Sequence, residues 1–468
     1  MAGKHEKLAF RLRGVIEGFY GKPWTPGARL AMMDFLAGQQ YNLYVYAPKH
    51  DPYHREKWRE PYPESELAAL AALAGRAAAG GVDFCFAVSP GLSLRYSDPG
   101  EVDRLLVKYR AMGDAGVRSF GLFFDDIPDE LKNEDDVRAF GTLAAAQVHV
   151  ANESYKRLVA EYGKVSFLIC PTEYRGSGDS DYVRELGAGL TPPIEVFWTG
   201  RLVCSPAITA AEARELARVL RRPPLYWDNY PVNDGMMSSE LHIGPYVGRE
   251  AGLSRESAGI VLNPMNQPEA SKIALRAAAR FLRAPETYDA EAAWKEALAA
   301  VAGEEDEERR EWLALFAAAN NFSCLDRGQP RWLEEAVQGF RAKVEDGKAL
   351  EGGVELAATL HKMLEAARYL AEELPNRALR REILPWVREF AAWQKVGEVA
   401  FAVMAQYWAM HSPDSGMSRG EAQRIFAERR AELKRVLQRT TGHRTKVCGD
   451  VPRSFAADVL IHTSHVHA

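Results

Sequence analysis

Eight short apolar runs, rich in Val, Ile, Phe and Tyr, alternate with stretches long enough for crossover helices over residues 1–285. They are RGVIEGF (13–19), YNLYVYAP (41–48), DFCFAVSP (83–90), SFGLFFDD (119–126), VSFLICPT (165–172), EVFWTG (195–200), PLYWDN (224–229) and GIVLNP (259–264). Strands covered on both faces read as continuous apolar runs, because neither face meets water, and these show that grammar rather than strict alternation. Eight strand–helix units in this length predict an α/β fold, a (β/α)8 TIM barrel. A doubly wound sheet competes, but it carries a Gly-rich phosphate turn after its first strand, and here that position reads EGFYGKPW.

From residue 286 the strand grammar stops. Segments 289–301, 304–320, 330–345, 353–374, 377–411 and 418–440 space their apolar residues as helices do, with Arg and Glu between. This half reads as an all-α helical bundle, its Leu and Ala stripes forming core. Pro385 is expected to kink or restart its helix, since it lacks an N–H and crowds the preceding turn. The expected domains are a catalytic barrel over 1–285, the bundle over 286–445 and a C-terminal tail over 446–468. The tail holds Cys448, His462, His465 and His467 without structural-zinc spacing, so it reads as a loose tail rather than a metal site. Its SFAADVLI segment is a candidate for docking on a neighbouring subunit, and exposed apolar helix faces in the bundle suggest a homodimer.

A net charge of −5 tilts against a protein that binds nucleic acid through phosphate contacts. No apolar run approaches membrane-spanning length, so no membrane partner is expected. The N-terminal residues lack the apolar region and cleavage site of a signal peptide. Five scattered cysteines, odd in number and never spaced CxxC, fit a reducing compartment, and the expected location is cytoplasmic.

In a barrel of this kind catalytic groups collect where strands end. The exits deliver Glu17 to Tyr20, Lys49 with His50 and Asp51, Asp125 with Asp126, Thr172 to Tyr174, Thr199, Asp228 to Asp234, and Asn263. The fourth run ends in two adjacent carboxylates, which cannot both ionise without cost, so their titrations should separate into an acid and a charged partner. The competing reading makes Asp126 the cap of a helix begun by IPDEL. WDNYPVND offers aromatic, amide and acid groups suited to a sugar, or simply a turn. HExxH, GxSxG and an HxH pair on an early strand are absent, and no His cluster joins the aspartates to make a metal site.

Taken in order, RGVIEGFYGKPW, YVYAPKHDPYHREKWREPYP, AVSPGL, FGLFFDDI, CPTEY, WTG, WDNYPVND and the Asn263-Pro264 turn resemble the O-GlcNAcase family, glycoside hydrolase family 84. The resemblance covers residues 10–285, and the helical half is similar to the bundle that follows the barrel in these proteins. It implies a retaining exo-β-N-acetylglucosaminidase in which the sugar's own acetamido oxygen attacks the anomeric carbon, an exception to the two-carboxylate nucleophile scheme. Asp125 would orient the acetamide N–H as the oxazoline forms, and Asp126 would protonate the leaving Ser or Thr oxygen and then activate water.

The resemblance also implies that the Gly18 backbone, Lys49, Asp234, Asn229 and Asn263 hold sugar hydroxyls. Cys170, Tyr174, Thr199 and Trp227 would line the acetamido pocket. The partners implied are GlcNAc-bearing glycoproteins or glycans, and the scheme calls for no cofactor or metal. His50, where many members have Asp, and Arg201 after WTG depart from the family pattern, both at the rim. An endo-acting glycosidase of hyaluronidase type and a non-catalytic glycan-binding protein are the alternatives; the first needs an open cleft, the second the loss of one aspartate.

Overall fold

A computed structural model of the chain describes residues 8–346, 348–411, 417–442 and 444–464. It divides into two compact units: Met1–Gly235 with Tyr246–Ala293, and Met236–Pro245 with Trp294–Ala468.

In the first unit every expected run forms a strand. They are β1 (Leu12–Glu17), β2 (Leu43–Tyr46), β3 (Asp83–Val88), β4 (Ser119–Phe123), β5 (Ser166–Cys170), β6 (Ile194–Trp198), β7 (Leu225–Asp228) and β8 (Gly259–Leu262). Each pairs in parallel with the next, and β1 pairs with β8, closing the barrel. Helices Pro26–Gly38, Glu64–Ala79, Pro99–Gly113, Leu143–Tyr162, Asp181–Gly189, Ala210–Leu220 and Pro268–Arg283 follow strands as the crossovers. Their starts carry local chemistry: Thr25, Thr142, Ser180 and Thr209 accept hydrogen bonds from first-turn N–H groups, and Thr209 with Glu212 completes a capping box.

The barrel interior is filled by side chains. Ile16, Val45, Ala87, Phe123, Leu168, Phe197 and Val261 form one buried cluster that reaches Cys170 and Trp227 at the C-terminal ends. Filled in this way the barrel has no through-channel, and chemistry is confined to the loops above the core.

Three carboxylates at strand exits are consumed in holding that rim. Glu17 takes both prongs of Arg29 at 2.7 and 2.8 Å and the Tyr44 hydroxyl at 2.6 Å. Asp228 is buried against Arg249 and Tyr246, whose hydroxyl donates at 2.7 Å. Asp51 accepts from the hydroxyls of Tyr46 and Tyr62 and from the Tyr53 N–H. A buried carboxylate without such partners would cost several kcal/mol, about the whole margin of a domain, so these groups fix loop geometry before they can serve chemistry.

The second unit is helical: Glu307–Ala319, Arg331–Glu345, Ala349–Glu372, Arg377–His411 and Arg419–Thr440 match the expected segments, preceded by the end of Ala290–Ala302. Pro385 does not restart its helix, which runs unbroken through it. Ile383, Trp386, Val387 and Phe390 around the proline are buried, and their packing outweighs one lost main-chain bond. The segment expected as a loose tail instead contains a helix, Val451–His462, packed within its own unit by Phe455, Ala456 and Val459. The Phe455 ring meets Phe340 edge-on at 5.8 Å, so the apolar face expected to dock on another subunit is covered by the same chain. His465 and His467 lie outside the described residues.

The unit boundary falls at 293/294 rather than 285/286, and residues 236–245, between β7 and β8, belong to the helical unit. There Ser239 O accepts from the Trp386 indole and the Lys446 N–H, and Ile243 O accepts from the Trp294 indole. Among the described residues, no helix is long and apolar enough to cross a membrane.

Candidate active site

All eleven residues expected at the site lie on exits of the barrel, and hydrogen bonds or packing tie most of them to one another. β4 runs into Asp125 and Asp126, whose surroundings differ. Asp125 is buried, with Oδ2 ion-paired to the buried Lys49 ammonium. Its Oδ1 is also buried and, among the described residues, has no hydrogen-bond partner, an arrangement that is costly unless a donor arrives.

Asp126 is exposed at the mouth, with a left-handed backbone (φ 56°) that a non-glycine residue seldom adopts. Its Oδ2 accepts the Tyr20 hydroxyl at 2.7 Å and its Oδ1 the Tyr174 hydroxyl at 2.8 Å. The helix-cap reading of Asp126 fails: the next helix begins at Glu134, and Asn133 is its cap.

Burial pushes the Asp126 carboxyl upward, but the Tyr20 hydroxyl, the Lys49 charge, the Tyr174 hydroxyl and Arg55 together hold it below its ordinary value. Lys49 is driven down by burial and up by Asp125, Tyr20 and Asp126, with a net rise that keeps it charged. Asp234 moves the other way: burial raises it, only partly offset by the Tyr20 N–H that it accepts at 2.7 Å.

Near Asp125 lies an aromatic cluster. Trp227 is seated on Phe123 and Phe197, with ring centroids 5.9 and 5.5 Å away, and Cys170 and Tyr174 join the same cluster. Burial holds the Cys170 thiol well above its ordinary value, so it packs as a small apolar group. The Trp227 indole donates to Asn229 Oδ1 at 2.9 Å, and Asn263 Nδ2 donates to that oxygen at 2.9 Å. Asn263 Oδ1 in turn accepts the Gly18 N–H at 3.3 Å. The Thr199 hydroxyl donates to Leu202 O at 2.8 Å while its N–H donates to Tyr174 O at 2.8 Å, pinning the Tyr174 loop.

A cavity of about 420 Å³ opens beside Asp126, lined by Ile127, Asp129, Glu173, Tyr174 and Arg175. Of the two departures, His50 accepts the Gly21 N–H at the mouth, and Arg201 is occupied by Glu212 at 2.8 Å.

Gly18 has a steric reason to be glycine. A Cβ there would lie 2.4 Å from Trp227 Cζ2, and the ring is held on its other sides by Asn229 and two phenylalanines. Gly18→Ala should therefore destabilise the fold by about 1–3 kcal/mol and, under the glycosidase reading that the sequence suggests, weaken sugar binding through displacement of Trp227. Thermal melting and sugar titration check both, and an unaltered melt with unaltered affinity would remove Trp227 from the argument.

Phe197 and Arg55 join this geometry without being marked by the sequence, and Tyr20 is marked there only as part of the first exit. Phe197 lay inside a strand run with nothing to separate it from ordinary core. Tyr20 and Arg55 lie in quoted motifs, but only the folded loops bring their polar ends to Asp126.

The model of the family described as beta-N-acetylglucosaminidase (NAGidase) matches residues 13–317. Protein O-GlcNAcase of Rattus norvegicus is 38% identical over 278 residues, 58% of this chain and 30% of its own length, and that of Mus musculus gives the same figures. The chain thus matches under a third of the length of these relatives. An O-GlcNAc hydrolase of Thermobaculum terrenum, solved as a mutant, superposes with a TM-score of 0.91 at 36% identity, covering 97% of this chain and 95% of its own. The structure of CpGH84B superposes at 0.82 with 28% identity, covering 97% of this chain and 77% of its own.

Proposed function

The chain belongs to the β-N-acetylglucosaminidase family, glycoside hydrolase family 84, and on that premise we propose that it is a retaining exo-β-N-acetylglucosaminidase acting through an oxazoline. The observation that carries this reading is the asymmetry of the aspartate pair. Asp125 keeps one buried oxygen without a donor among the described residues, near the cluster of Cys170, Trp227 and two phenylalanines, while Asp126 stands at the mouth among hydroxyl donors. An acetamide N–H is the donor that Asp125 Oδ1 lacks. Held there, the acetamide oxygen would be turned toward the anomeric carbon as internal nucleophile, and the buried carboxylate would stabilise positive charge growing on nitrogen.

Asp126 would give its proton to the leaving oxygen and recover one from the water that opens the oxazoline. Two inversions at the anomeric carbon return the β configuration. Lys49, Asp234, Asn229, Asn263 and the Gly18 carbonyl would hold the sugar hydroxyls, with Cys170, Tyr174, Thr199 and Trp227 around the acetamide. The cavity beside Asp126 would take the leaving group, a Ser or Thr of a GlcNAc-bearing protein.

A cytoplasmic location is part of the proposal: among the described residues no cysteine is in a disulfide, as a reducing compartment favours. A homodimer formed by the helical unit is also proposed. Val354 and Leu364 are exposed apolar side chains on that unit that such a contact would cover, and sedimentation tests it.

The test of the reaction is release of 4-nitrophenol from its β-N-acetylglucosaminide, with the product anomer read by proton NMR. Turnover with β product first, slowing as the acetyl methyl is replaced by progressively fluorinated groups, is expected, because fluorine drains the nucleophilic oxygen. Rates indifferent to fluorination would exclude the oxazoline.

A further inference from the structure

We propose that Arg55 is a positioning residue for Asp126, fixing both the backbone of that aspartate and the direction of the Tyr20 hydroxyl proton. The proposal rests on the assignment of Asp126 as the proton-transfer group.

Arg55 projects from the turn that follows β2, and that turn is fastened on several sides. Asp51 accepts the Tyr53 N–H and two tyrosine hydroxyls, the His54 ring meets Ala87 O at 2.8 Å, and His54 O accepts the Ser89 N–H at 2.8 Å. From this anchored base the largely buried guanidinium makes two bonds at the mouth: Nη1 to the Tyr20 hydroxyl oxygen at 2.9 Å, and Nη2 to the Asp126 carbonyl oxygen at 3.0 Å.

Each bond has a consequence. A guanidinium can only donate, so the Tyr20 oxygen must spend a lone pair on Arg55 and turn its proton to Asp126 Oδ2, 2.7 Å away. The second bond holds the carbonyl of a residue in left-handed backbone, a conformation that needs outside support to persist. One planar fork thus sets the carboxyl's position and one of its two hydroxyl donors, a task that a lysine ammonium cannot reproduce with the same geometry. Asp126 is faced by Tyr20 from the β1 loop, Lys49 and Arg55 from the β2 loop, its neighbour Asp125, Tyr174 from the β5 loop and, at longer range, Asp234. Arg55 touches Asp126 directly and also acts through Tyr20.

The experiment compares parent, Arg55→Lys, Arg55→Met and Tyr20→Phe in folded form, checked by melting. Misplacing a reacting group by about 1 Å costs up to roughly 100-fold. Both Arg55 variants should therefore lose roughly 10- to 100-fold in kcat on 4-nitrophenyl β-N-acetylglucosaminide. In Arg55→Met the Asp126 carboxyl, titrated by carbon-13 NMR in the ligand-free protein, should move upward, as should the alkaline limb of kcat/KM. Arg55→Lys should restore part of that pH shift, through its charge, without restoring kcat. Arg55→Met and Tyr20→Phe should be non-additive when combined, since they remove one chain of contacts. An unmoved Asp126 titration, or full kcat in Arg55→Lys, overturns the proposal. The NMR readout needs no turnover, so an inert parent would sink the glycosidase reading while leaving the Arg55 contact separately decidable.

Discussion

Asp126→Asn should lower kcat by roughly 100- to 10,000-fold on alkyl glycosides, while activated aryl glycosides lose far less. The difference is the diagnostic. A leaving group that departs without a proton does not need the acid, whereas a serine oxygen does. The side-chain shape is conserved, and sugar affinity is expected to stay near that of the parent. Equal losses across leaving groups would remove Asp126 from the role of acid and leave it a structural part of the mouth.

The pH dependence carries the same argument further. In the free protein Asp126 accepts two tyrosine hydroxyls and lies near Lys49 and Arg55, and its carboxyl is held low, as the anion. That form suits the second half of the reaction, in which water must lose a proton. Under the proposed mechanism the first half requires the bound sugar to raise the carboxyl, by excluding water and drawing Lys49 toward its own hydroxyls. The alkaline limb of kcat, which reports the complex, should therefore lie at higher pH than the limb of kcat/KM, which reports the free enzyme. Coincident limbs would mean that the sugar leaves the acid untouched.

What could be read in the sequence, and what could not, follows from the range of the interactions. A strand in a parallel barrel is buried on both faces whatever its neighbours are, so each of the eight runs carries its own mark, and the residue after each run is a rim residue by construction. Asp125, Asp126, Lys49 and Asn263 are legible on those grounds. Glu17, Asp51 and Asp228 were equally legible as polar exits, yet they hold the rim, because their partners Arg29, Tyr62 and Arg249 arrive from elsewhere in the chain.

Pairings across such gaps leave no periodic trace, which is also why the place of Arg55 is not legible in the sequence. The same limit explains residues 236–245, whose place in the helical unit depends on Trp294, Trp386 and Lys446. The C-terminal helix is illegible in the sequence for a related reason. Twelve residues opening on Val-Pro, with few charges, carry weak helical marks of their own, and Phe340 supplies what the local pattern lacks.

Asp125→Asn should have the broader effect of the two aspartate substitutions. Its carboxylate is assigned to the charge that grows on the acetamide nitrogen, a step common to every substrate, so good and poor leaving groups should suffer alike. The loss of a preorganised electrostatic partner of this type is of order 100- to 1,000-fold in kcat. A second effect separates this residue from Asp126. Lys49 is buried and bonds to Asp125, and burial alone would drive its charge off; the carboxylate reverses that and holds its titration above the ordinary lysine value. Removal of one member of a buried pair costs about 3–5 kcal/mol when nothing replaces it, and an asparagine oxygen, still an acceptor, should keep the cost toward the lower end. Since Lys49 titrates higher in the folded protein than in the unfolded chain, the pair stabilises the fold fully below the unfolded lysine value and progressively less as pH rises through the folded one. The melting difference between parent and Asp125→Asn should accordingly be largest near neutrality and shrink in strongly alkaline solution. A variant that melts like the parent at every pH would show that Lys49 had already found another partner. A variant that melts lower but turns over normally would leave Asp125 a structural counter-ion, and the acetamide would need a different hand to turn it.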